Sequence, residues 1–309
     1  MLARTLAASL LFVLCVVNGA SAQNARFRFL ATGDLPYTPP QEAPFRQLLK
    51  QSETEDFAFL LHVGDIKAQS IPCSDENFLK IRNLFRAYPK PVVYTPGDNE
   101  WTDCHGTGSD PVERLQKIRE LFFKDETTLR LKQLKTIHQS RHAASSDFVE
   151  NYRFEKSGVL FVVTHMVGSK NNRRVDNEAA MREFKKRDAA NEAFLAESFA
   201  IVKETRPTAV AVIIHANPDF EQGKEPGFKR FLTAMRGFLA EYKRPVVCIH
   251  GDSHYYRIDK PIKKKAGTIF THFTRMEIFG SPNVAGVAVT VEPGDPEVFS
   301  YRPYYLKSK

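Results

Sequence analysis

Apolar runs that end in Gly-Asp alternate with helical spacing along the first third of the chain. The runs are "RFRFLATGD", "DFAFLLHVGD" and "KPVVYTPGD", and the stretches 42–53 and 75–88 between them have the pattern of amphipathic helices. Near-continuously apolar strands that alternate with helices are typical of a largely parallel sheet covered by helices. We therefore expect a parallel sheet in this part of the chain.

The middle of the chain has a different pattern. Residues 110–138 are predicted to be helical, because Asp110-Pro111 is a typical helix start. The segment "NYRFEKSGVLFVVTH" then predicts two antiparallel strands with a turn at Lys156, Ser157 and Gly158.

The last third returns to strands and helices. Helices are predicted over 176–204 and 227–242, on either side of the strand "TAVAVII", and the strand "PVVCI" follows the second of them. Residues 255–306 are mostly strand-like, with turns near Gly267, Gly280–Asn283 and Pro293–Pro296. These elements predict an α/β fold in one domain, with two sheets face to face and helices outside.

The N-terminus has the pattern of a secretory signal peptide. Its sequence, "MLARTLAASLLFVLCVVNGASAQ", has one Arg before an apolar run and small residues after it. We predict cleavage after Ala22, a single domain over 23–309, and a secreted or periplasmic protein. The apolar run 6–17 is short for a bilayer span, so no membrane attachment is expected after cleavage.

Composition excludes several classes of protein. Hydrophobic residues make up 42% of the chain, enough for a sizeable core and too many for global disorder. The formal net charge of +8 suits an anionic substrate, and equally an ordinary basic exported protein. The basic clusters 170–174 and 263–265 are short and lack interleaved aromatics, so no nucleic-acid partner is indicated. No serine-hydrolase elbow or P-loop occurs in the sequence.

Three cysteines follow the predicted cleavage site. Cys248 lies in the apolar run "PVVCI" and is predicted to be a buried free thiol. Cys73 and Cys104 both lie in loops that follow a Gly-Asp turn, so we expect them to form a disulfide in an oxidising compartment.

Six polar side chains follow apolar strands at the points where those strands end. Four converging carboxylates repel one another unless a cation neutralises them, and two imidazoles complete a mixed oxygen and nitrogen ligand set. Such a set suits Mn, Fe or Zn, with Mg also possible, and a bridging carboxylate is how two-metal sites for phosphoryl chemistry are built. The candidate ligands are Asp34, Asp65, Asp98, His215, Asp252 and His254.

The order of these motifs resembles that of the calcineurin-like metallophosphoesterases, the superfamily that includes purple acid phosphatases. "GDLPY", "GDIK", "GDNEW", "IIHANP" and "HGDSH" follow one another between residue 27 and about residue 280. The resemblance implies a four-layer sandwich of two mixed sheets flanked by helices. It also implies two divalent ions (Mn, Fe, Mg or Zn) and a small anionic phosphomono- or phosphodiester substrate. The "GDNEW" variant resembles that of an exported bacterial branch.

The resemblance assigns roles residue by residue. Asp34, His215 and His254 match ligand positions, and Asp65 matches the bridging Asp. Four positions depart from the family pattern, where Pro36 replaces a ligand His, Asp98 a ligand Asn, Asn99 the catalytic His, and Asp252 a further His. Asn99 can donate a hydrogen bond but cannot supply a proton at neutral pH.

Other side chains are candidates for the missing acid and for substrate contacts. His165 ends the strand "VLFVVTH" and His105 lies close to Asn99 in sequence, so either is a candidate proton donor. Tyr37, Lys170 and Arg173 are candidate substrate contacts. Each also has an ordinary structural explanation: a hydrogen-bonded His, turn packing for the Tyr, and a solvated loop for the cations.

Two interpretations of the departures remain open at this point. The favoured one is a working two-metal hydrolase with an oxygen-rich ligand set that prefers Mn or Mg to Zn. The alternative is a site with one metal or none, in a protein that is weakly active or inactive and binds a phosphorylated ligand.

Overall fold

The computed structural model describes residues 25–124, 127–264 and 266–307. The predicted signal peptide lies outside the described residues, so the cleavage site and the domain boundary stay predictions.

The first sheet has five strands and combines the start of the chain with its end. Three parallel strands, β1 to β3, pair in chain order, and two antiparallel strands, β11 and β12, extend the sheet beyond β1. The bounds are β1 Phe27–Thr32, β2 Phe57–His62, β3 Val92–Tyr94, β11 Gly286–Val291 and β12 Phe299–Tyr304.

The second sheet has seven strands in the order β4-β5-β6-β7-β8-β10-β9. Strands β6, β7, β8 and β10 are parallel, whereas β4, β5 and β9 pair antiparallel at the two edges. The bounds are β4 Ile137–His138, β5 Tyr152–Lys156, β6 Val159–Val163, β7 Ala209–Ile213, β8 Val246–His250, β9 Arg257–Asp259 and β10 Phe273–Glu277.

Five α-helices of eight or more residues cover the sheets in the described part of the chain: α1 Pro39–Glu53, α2 Asp75–Ala87, α3 Pro111–Ile118, α4 Glu178–Thr205 and α5 Lys229–Glu241. Shorter helical turns occupy Thr102–Thr107, Arg119–Phe123, Leu131–Leu134, Gln139–Arg141, Ala143–Ser145 and Pro226–Phe228. None of the helices that the structure describes combines the length and the apolar character that a bilayer span requires.

The core lies between the two sheets and is rich in aromatic rings. Phe29 and Phe59 of the first sheet stack at 4.7 Å between ring centroids, and Phe154 and Phe161 of the second stack at 4.8 Å. The two pairs meet edge to face, with Phe59 and Phe154 at 5.6 Å. A second apolar layer packs α4 and α5 on the other face of the seven-stranded sheet. The predicted sandwich of two mixed sheets flanked by helices is confirmed.

The helix predicted over 110–138 is wrong beyond its first turns. Helix α3 ends at Ile118, a π-helical turn follows, and Arg130 and Lys135 adopt left-handed φ angles of 55° and 52° that no right-handed helix continues. The chain bends because the rings of Phe122 and Phe123 pack on Tyr94, at centroid distances of 4.9 and 5.7 Å. Tertiary packing on β3 therefore overrides the helical pattern.

The predicted disulfide between Cys73 and Cys104 is present, and Cys248 is a buried free thiol. The disulfide joins the loop before α2 to the loop after β3. The sulfur atoms of Cys73 and Cys104 lie 3.5 and 3.7 Å from the carbonyl oxygen of Asn99. The covalent link therefore fixes the loop that carries Asn99.

We expect Cys104→Ser to lower the free energy of unfolding. The disulfide spans a sequence separation of 31 residues, and chain-entropy arguments give a loss of about 3–4 kcal/mol for a loop of this size. Urea unfolding of the variant and of the wild type, with and without reductant, measures the effect. Reductant should destabilise only the wild type; an equal effect of reductant on both proteins would contradict the assignment.

Candidate metal centre

The ends of both sheets converge on one rim. Asp34, Asp65 and Asp98 follow β1, β2 and β3, His215 follows β7, and Asp252 follows β8. The carboxyl ends of parallel strands in each sheet point the same way, and Val63 O of the first sheet is hydrogen-bonded to His215 of the second. The two sheets therefore deliver their polar side chains to a common site.

The backbone at this rim is held in an unusual conformation. Asp34, Asp65, Asp252 and His254 have φ angles of 51°, 57°, 75° and 59°, in the left-handed region that side chains other than Gly rarely adopt. Such residues persist where the surrounding structure determines them, and they cluster at functional sites.

Two groups of three side chains offer atoms close enough to hold an ion. Asp34, Asp65 and His254 form one group, and Asp65, Asp98 and His215 form the other, with the ligand atoms in each group within 4.8 Å of one another. Asp65 belongs to both groups. Asp252 lies beside the second group, since its Oδ1 is 3.9 Å from His215 Nε2.

Both imidazoles are oriented by backbone carbonyls. Nδ1 of His215 donates to Val63 O at 2.7 Å, and Nδ1 of His254 donates to Ser281 O at 2.8 Å. Their Nε2 atoms therefore face the carboxylates: Nε2 of His215 is 2.8 Å from Asp98 Oδ1. Hydrogen bonds of this kind fix the tautomer and the ring plane of metal-binding histidines.

The electrostatics of the rim favour bound cations. Burial raises the pKa of Asp34 and of Asp65 well above the usual range, and burial followed by the charge of Asp98 raises the pKa of Asp252 to about 6. Burial disfavours the charged ring of His215, but Asp65 and Asp98 outweigh it and raise its pKa. Crowded buried carboxylates and two oriented imidazoles are a donor set that fits two divalent ions.

Glu100 supports the backbone at Asp65, a role that the sequence did not indicate. It is fully buried, and its Oε1 accepts from the backbone N–H groups of Asp65 at 3.2 Å and Gly97 at 2.7 Å and from the hydroxyl of Tyr94 at 2.8 Å. The Glu of "GDNEW" therefore connects the loop after β2 with the loop after β3 through hydrogen bonds to the backbone of Asp65 and Gly97.

Tyr37 and Asn99 are part of the cluster. The Tyr37 hydroxyl lies 2.5 Å from Asp65 Oδ2 and 2.9 Å from His254 Nε2. Nδ2 of Asn99 donates to Asp65 Oδ2 at 2.6 Å and to the Tyr37 hydroxyl at 3.1 Å. A phenol oxygen thus lies beside two candidate ligands, next to Pro36, which the resemblance places at a ligand His position.

The two candidate proton donors lie elsewhere. His165 is fully buried, its Nδ1 donates to Glu150 at 2.8 Å, and burial lowers its pKa to about 4. His105 is exposed, with Nδ1 bonded to Thr102 O at 2.8 Å. Within residues 25–124, 127–264 and 266–307, no hydrogen bond or ion pair joins either ring to the six candidate ligands. Geometry does not favour either His as the acid, and that role stays a prediction.

A left-handed turn after β6 closes one side of the site. A Cβ atom on Gly168 would lie 2.5 Å from Asp252 Oδ1 and 2.6 Å from Asp98 Oδ1, so only Gly fits there. The next four residues, Ser169 to Asn172, all have positive φ between 45° and 59°. The Ser169 hydroxyl lies 2.9 Å from Asp98 Oδ2 and 2.7 Å from Asp103 Oδ1.

A buried arginine holds this turn in place. Arg187 of α4 is fully buried and donates to Asn171 Oδ1 at 2.5 Å, to Asn171 O at 3.0 Å and to His165 O at 3.1 Å. Lys170 is exposed and Arg173 and Arg174 are half-buried, and none of the three side chains forms an ion pair with a described residue. The turn that contacts Asp98 through Ser169 therefore carries three cationic side chains without an ion pair among the described residues.

Most of the chain matches the sequence pattern of one protein family. The calcineurin-like phosphoesterase family matches residues 27–256, which include all six candidate ligands. The chain belongs to the calcineurin-like phosphoesterase family. Membership confirms the predicted enzyme class, a metal-dependent phosphoric ester hydrolase, and a small phosphoester as its substrate. The family and the two ligand groups together indicate a dimetal site.

Solved structures share the fold of this phosphoesterase at low sequence identity. A dimetal phosphatase from Danio rerio aligns with a TM-score of 0.50 and 12% identity, over 91% of this chain and 99% of that chain. TT1561 of Thermus thermophilus aligns with a TM-score of 0.50 and 8% identity, over 92% of this chain and 100% of that chain. A comparison with curated protein sequences gives no significant match.

Proposed function

We propose that this phosphoesterase hydrolyses phosphomono- or phosphodiesters at a dinuclear centre bridged by Asp65. The observation that carries the proposal is that Asp65 belongs to both groups of potential ligands. Asp34 and His254 would complete the first ion site, and Asp98, His215 and Asp252 the second. Two such ions stabilise the attacking and leaving oxygens of an in-line displacement and lower the pKa of bound water.

The protein's own side chains have distinct tasks in this proposal. Asn99, already pointed at Asp65 and Tyr37, donates a hydrogen bond to a phosphoryl oxygen but gives no proton. Tyr37 holds Asp65 and His254 in place or contributes its oxygen as a further ligand. Lys170 and Arg173 attract the substrate anion from the turn beside the cluster.

The ligand set favours hard ions. Asp98 and Asp252 stand where the resemblance places Asn and His, so the site is richer in carboxylate oxygen than that of its relatives. We expect apoprotein reconstituted in parallel with Mg, Mn and Zn to be active with Mn or Mg. Activity with Zn alone would contradict this assignment.

We expect neutralising the basic turn to weaken substrate capture. In the double variant Lys170→Gln/Arg173→Gln, KM should rise about tenfold while kcat stays within about twofold, because two opposite charges near a surface interact by a few kcal/mol at most. The salt dependence of kcat/KM should also become shallower. Arg302→Gln on the edge strand β12 is a matched control. An unchanged KM and salt slope would assign the turn a purely structural role.

Turnover separates the hydrolase from its alternative. Metal-replete protein is assayed on 4-nitrophenyl phosphate and bis(4-nitrophenyl) phosphate, and phosphate binding is measured by calorimetry. We expect slow hydrolysis of at least one ester. Saturable phosphate binding without any turnover would favour a protein that binds a phosphorylated ligand.

We also propose that the enzyme is exported. The Cys73–Cys104 disulfide supports this, since such bonds persist in oxidising compartments. Mass spectrometry of protein isolated from its native cells should find an N-terminus at Gln23. Retention of residues 1–22 would contradict the proposal.

A further inference from the structure

A cavity of about 260 Å³ lies beside Tyr37, the residue whose hydroxyl contacts Asp65, and has no role in the function proposed above. It lies between the loop after β1, the loop after β2 and helix α2. Its walls are largely apolar and include Pro36, Pro39, Ile66, Ile71 and Ile81. At about 30 Å³ per water molecule, the space corresponds to roughly nine waters, or one substituted ring.

Tyr37 connects the cavity to the candidate metal centre. Tyr37 is one of the residues that line the cavity, while its hydroxyl lies 2.5 Å from Asp65 Oδ2. Ala68 N donates to Tyr37 O at 3.3 Å, so the two loops that form the walls are joined to each other. A group in the cavity would therefore lie beside a phosphoryl group held at the cluster.

Lys67 is the one buried charge that lines this cavity in the described structure. It is 4% exposed, and its Nζ donates to Ala68 O at 3.2 Å. An ammonium has three donors, and a buried charge is costly unless its hydrogen bonds are made. The other charged side chains of the wall, Lys80 and Glu42, form an ion pair with each other.

We propose that this cavity binds the organic part of the substrate, a compact and mostly apolar group whose anionic or hydrogen-bond-accepting substituent contacts Lys67. The inference rests on the proposed function, because that function places the phosphoryl group at the cluster. It restricts the substrate class to phosphoesters of small ring-sized alcohols or phenols that carry a carboxylate or a similar acceptor. A phosphoester without such a substituent leaves two of the three Lys67 donors without a partner among the described residues.

The first test compares two nearly isosteric esters, 4-carboxyphenyl phosphate and 4-carbamoylphenyl phosphate. The wild type should favour the carboxylate in kcat/KM by about tenfold or more, the range of one charge-assisted hydrogen bond. Lys67→Met should abolish the preference, mainly through KM. Lys50→Met, an exposed site paired with Glu53 on α1, is the control and should retain the preference. Equal kcat/KM for the two esters in the wild type would overturn the proposal.

The second test needs no turnover. Binding of 4-hydroxybenzoate and 4-hydroxybenzamide is measured by calorimetry on the wild type and on Ile71→Phe, which fills the cavity but keeps Lys67. We expect the wild type to bind the benzoate more tightly and Ile71→Phe to lose both ligands. If benzoate binds here but no ester is hydrolysed, the cavity assignment stands and the hydrolase proposal falls. If esters are hydrolysed while Ile71→Phe leaves benzoate binding unchanged, the cavity assignment falls alone.

Discussion

Asp65→Asn is expected to remove metal binding and turnover together. Asn keeps the shape of the side chain but loses the charge and the second anionic oxygen with which Asp65 reaches both ligand groups. Metal content should fall from two ions to one or none. The value of kcat/KM should fall by about 100-fold to 1,000-fold, because that is the usual cost of removing one strong electrostatic contact from an active site.

In the metal-free protein, the same variant should not lower thermal stability. Burial and the neighbouring charges of His215 and Asp98 act on Asp65, and their net effect raises its pKa, so its ionised form is unfavourable without a cation. Metal-free Asp65→Asn should therefore unfold at the same temperature as the metal-free wild type or higher, whereas added Mn should stabilise only the wild type. Asp188→Asn, which breaks a contact with Arg230 on the outer helices, is a control that should keep its metal. Normal metal content and turnover in Asp65→Asn would show that Asp65 is not a shared metal ligand.

The second large effect concerns the leaving group. The resemblance places Asn99 at the position of the catalytic His, and an amide cannot supply a proton, so we expect a poor leaving group to lack a proton from this residue. A positioned general acid typically contributes about 100-fold to 10,000-fold. We expect kcat for 4-nitrophenyl phosphate to exceed that for glycerol phosphate by at least about 100-fold, measured by phosphate release.

Three substitutions test the origin of that difference. Asn99→His should lower the ratio of kcat for 4-nitrophenyl phosphate to kcat for glycerol phosphate, because it should raise the rate with glycerol phosphate. His165→Ala and His105→Ala should leave this ratio of kcat values unchanged, because His165 is buried against Glu150 and His105 is exposed. A loss confined to glycerol phosphate in His165→Ala would instead assign the acid role to that residue. Equal rates for the two substrates in the wild type would show that another acid operates.

The parts of the site that lie directly after strands were predictable from sequence. Gly-Asp at the end of an apolar run marks both the strand and its polar end, so Asp34, Asp65 and Asp98 are visible in the pattern alone. The pairing of Cys73 with Cys104 was predictable for the same reason, since both loops start at the same rim. The tail was predicted to be mostly strand; it contains β9 to β12, but turns and irregular segments occupy the larger part of it.

The parts that depend on long-range packing were not visible. Lys67 resembles any loop lysine until the β1 and β2 loops close over it. Arg187 resembles a solvated residue of a charged helix, yet it is buried because the turn at Ser169–Asn172 requires its hydrogen bonds. The helix predicted beyond Ile118 failed because Phe122 and Phe123 pack on Tyr94. In each case a contact distant in sequence outweighs the local signal.

In the proposed function, the protein hydrolyses esters only when two ions are bound at the site that Asp65 shares. The most direct test is a titration of apoprotein with Mn, in which bound metal and release of 4-nitrophenol from its phosphate ester are measured in the same samples. We expect binding to saturate at two ions per chain and the release of 4-nitrophenol to rise with occupancy of the second ion. Saturation at two ions without release, or full activity with one ion, would contradict it.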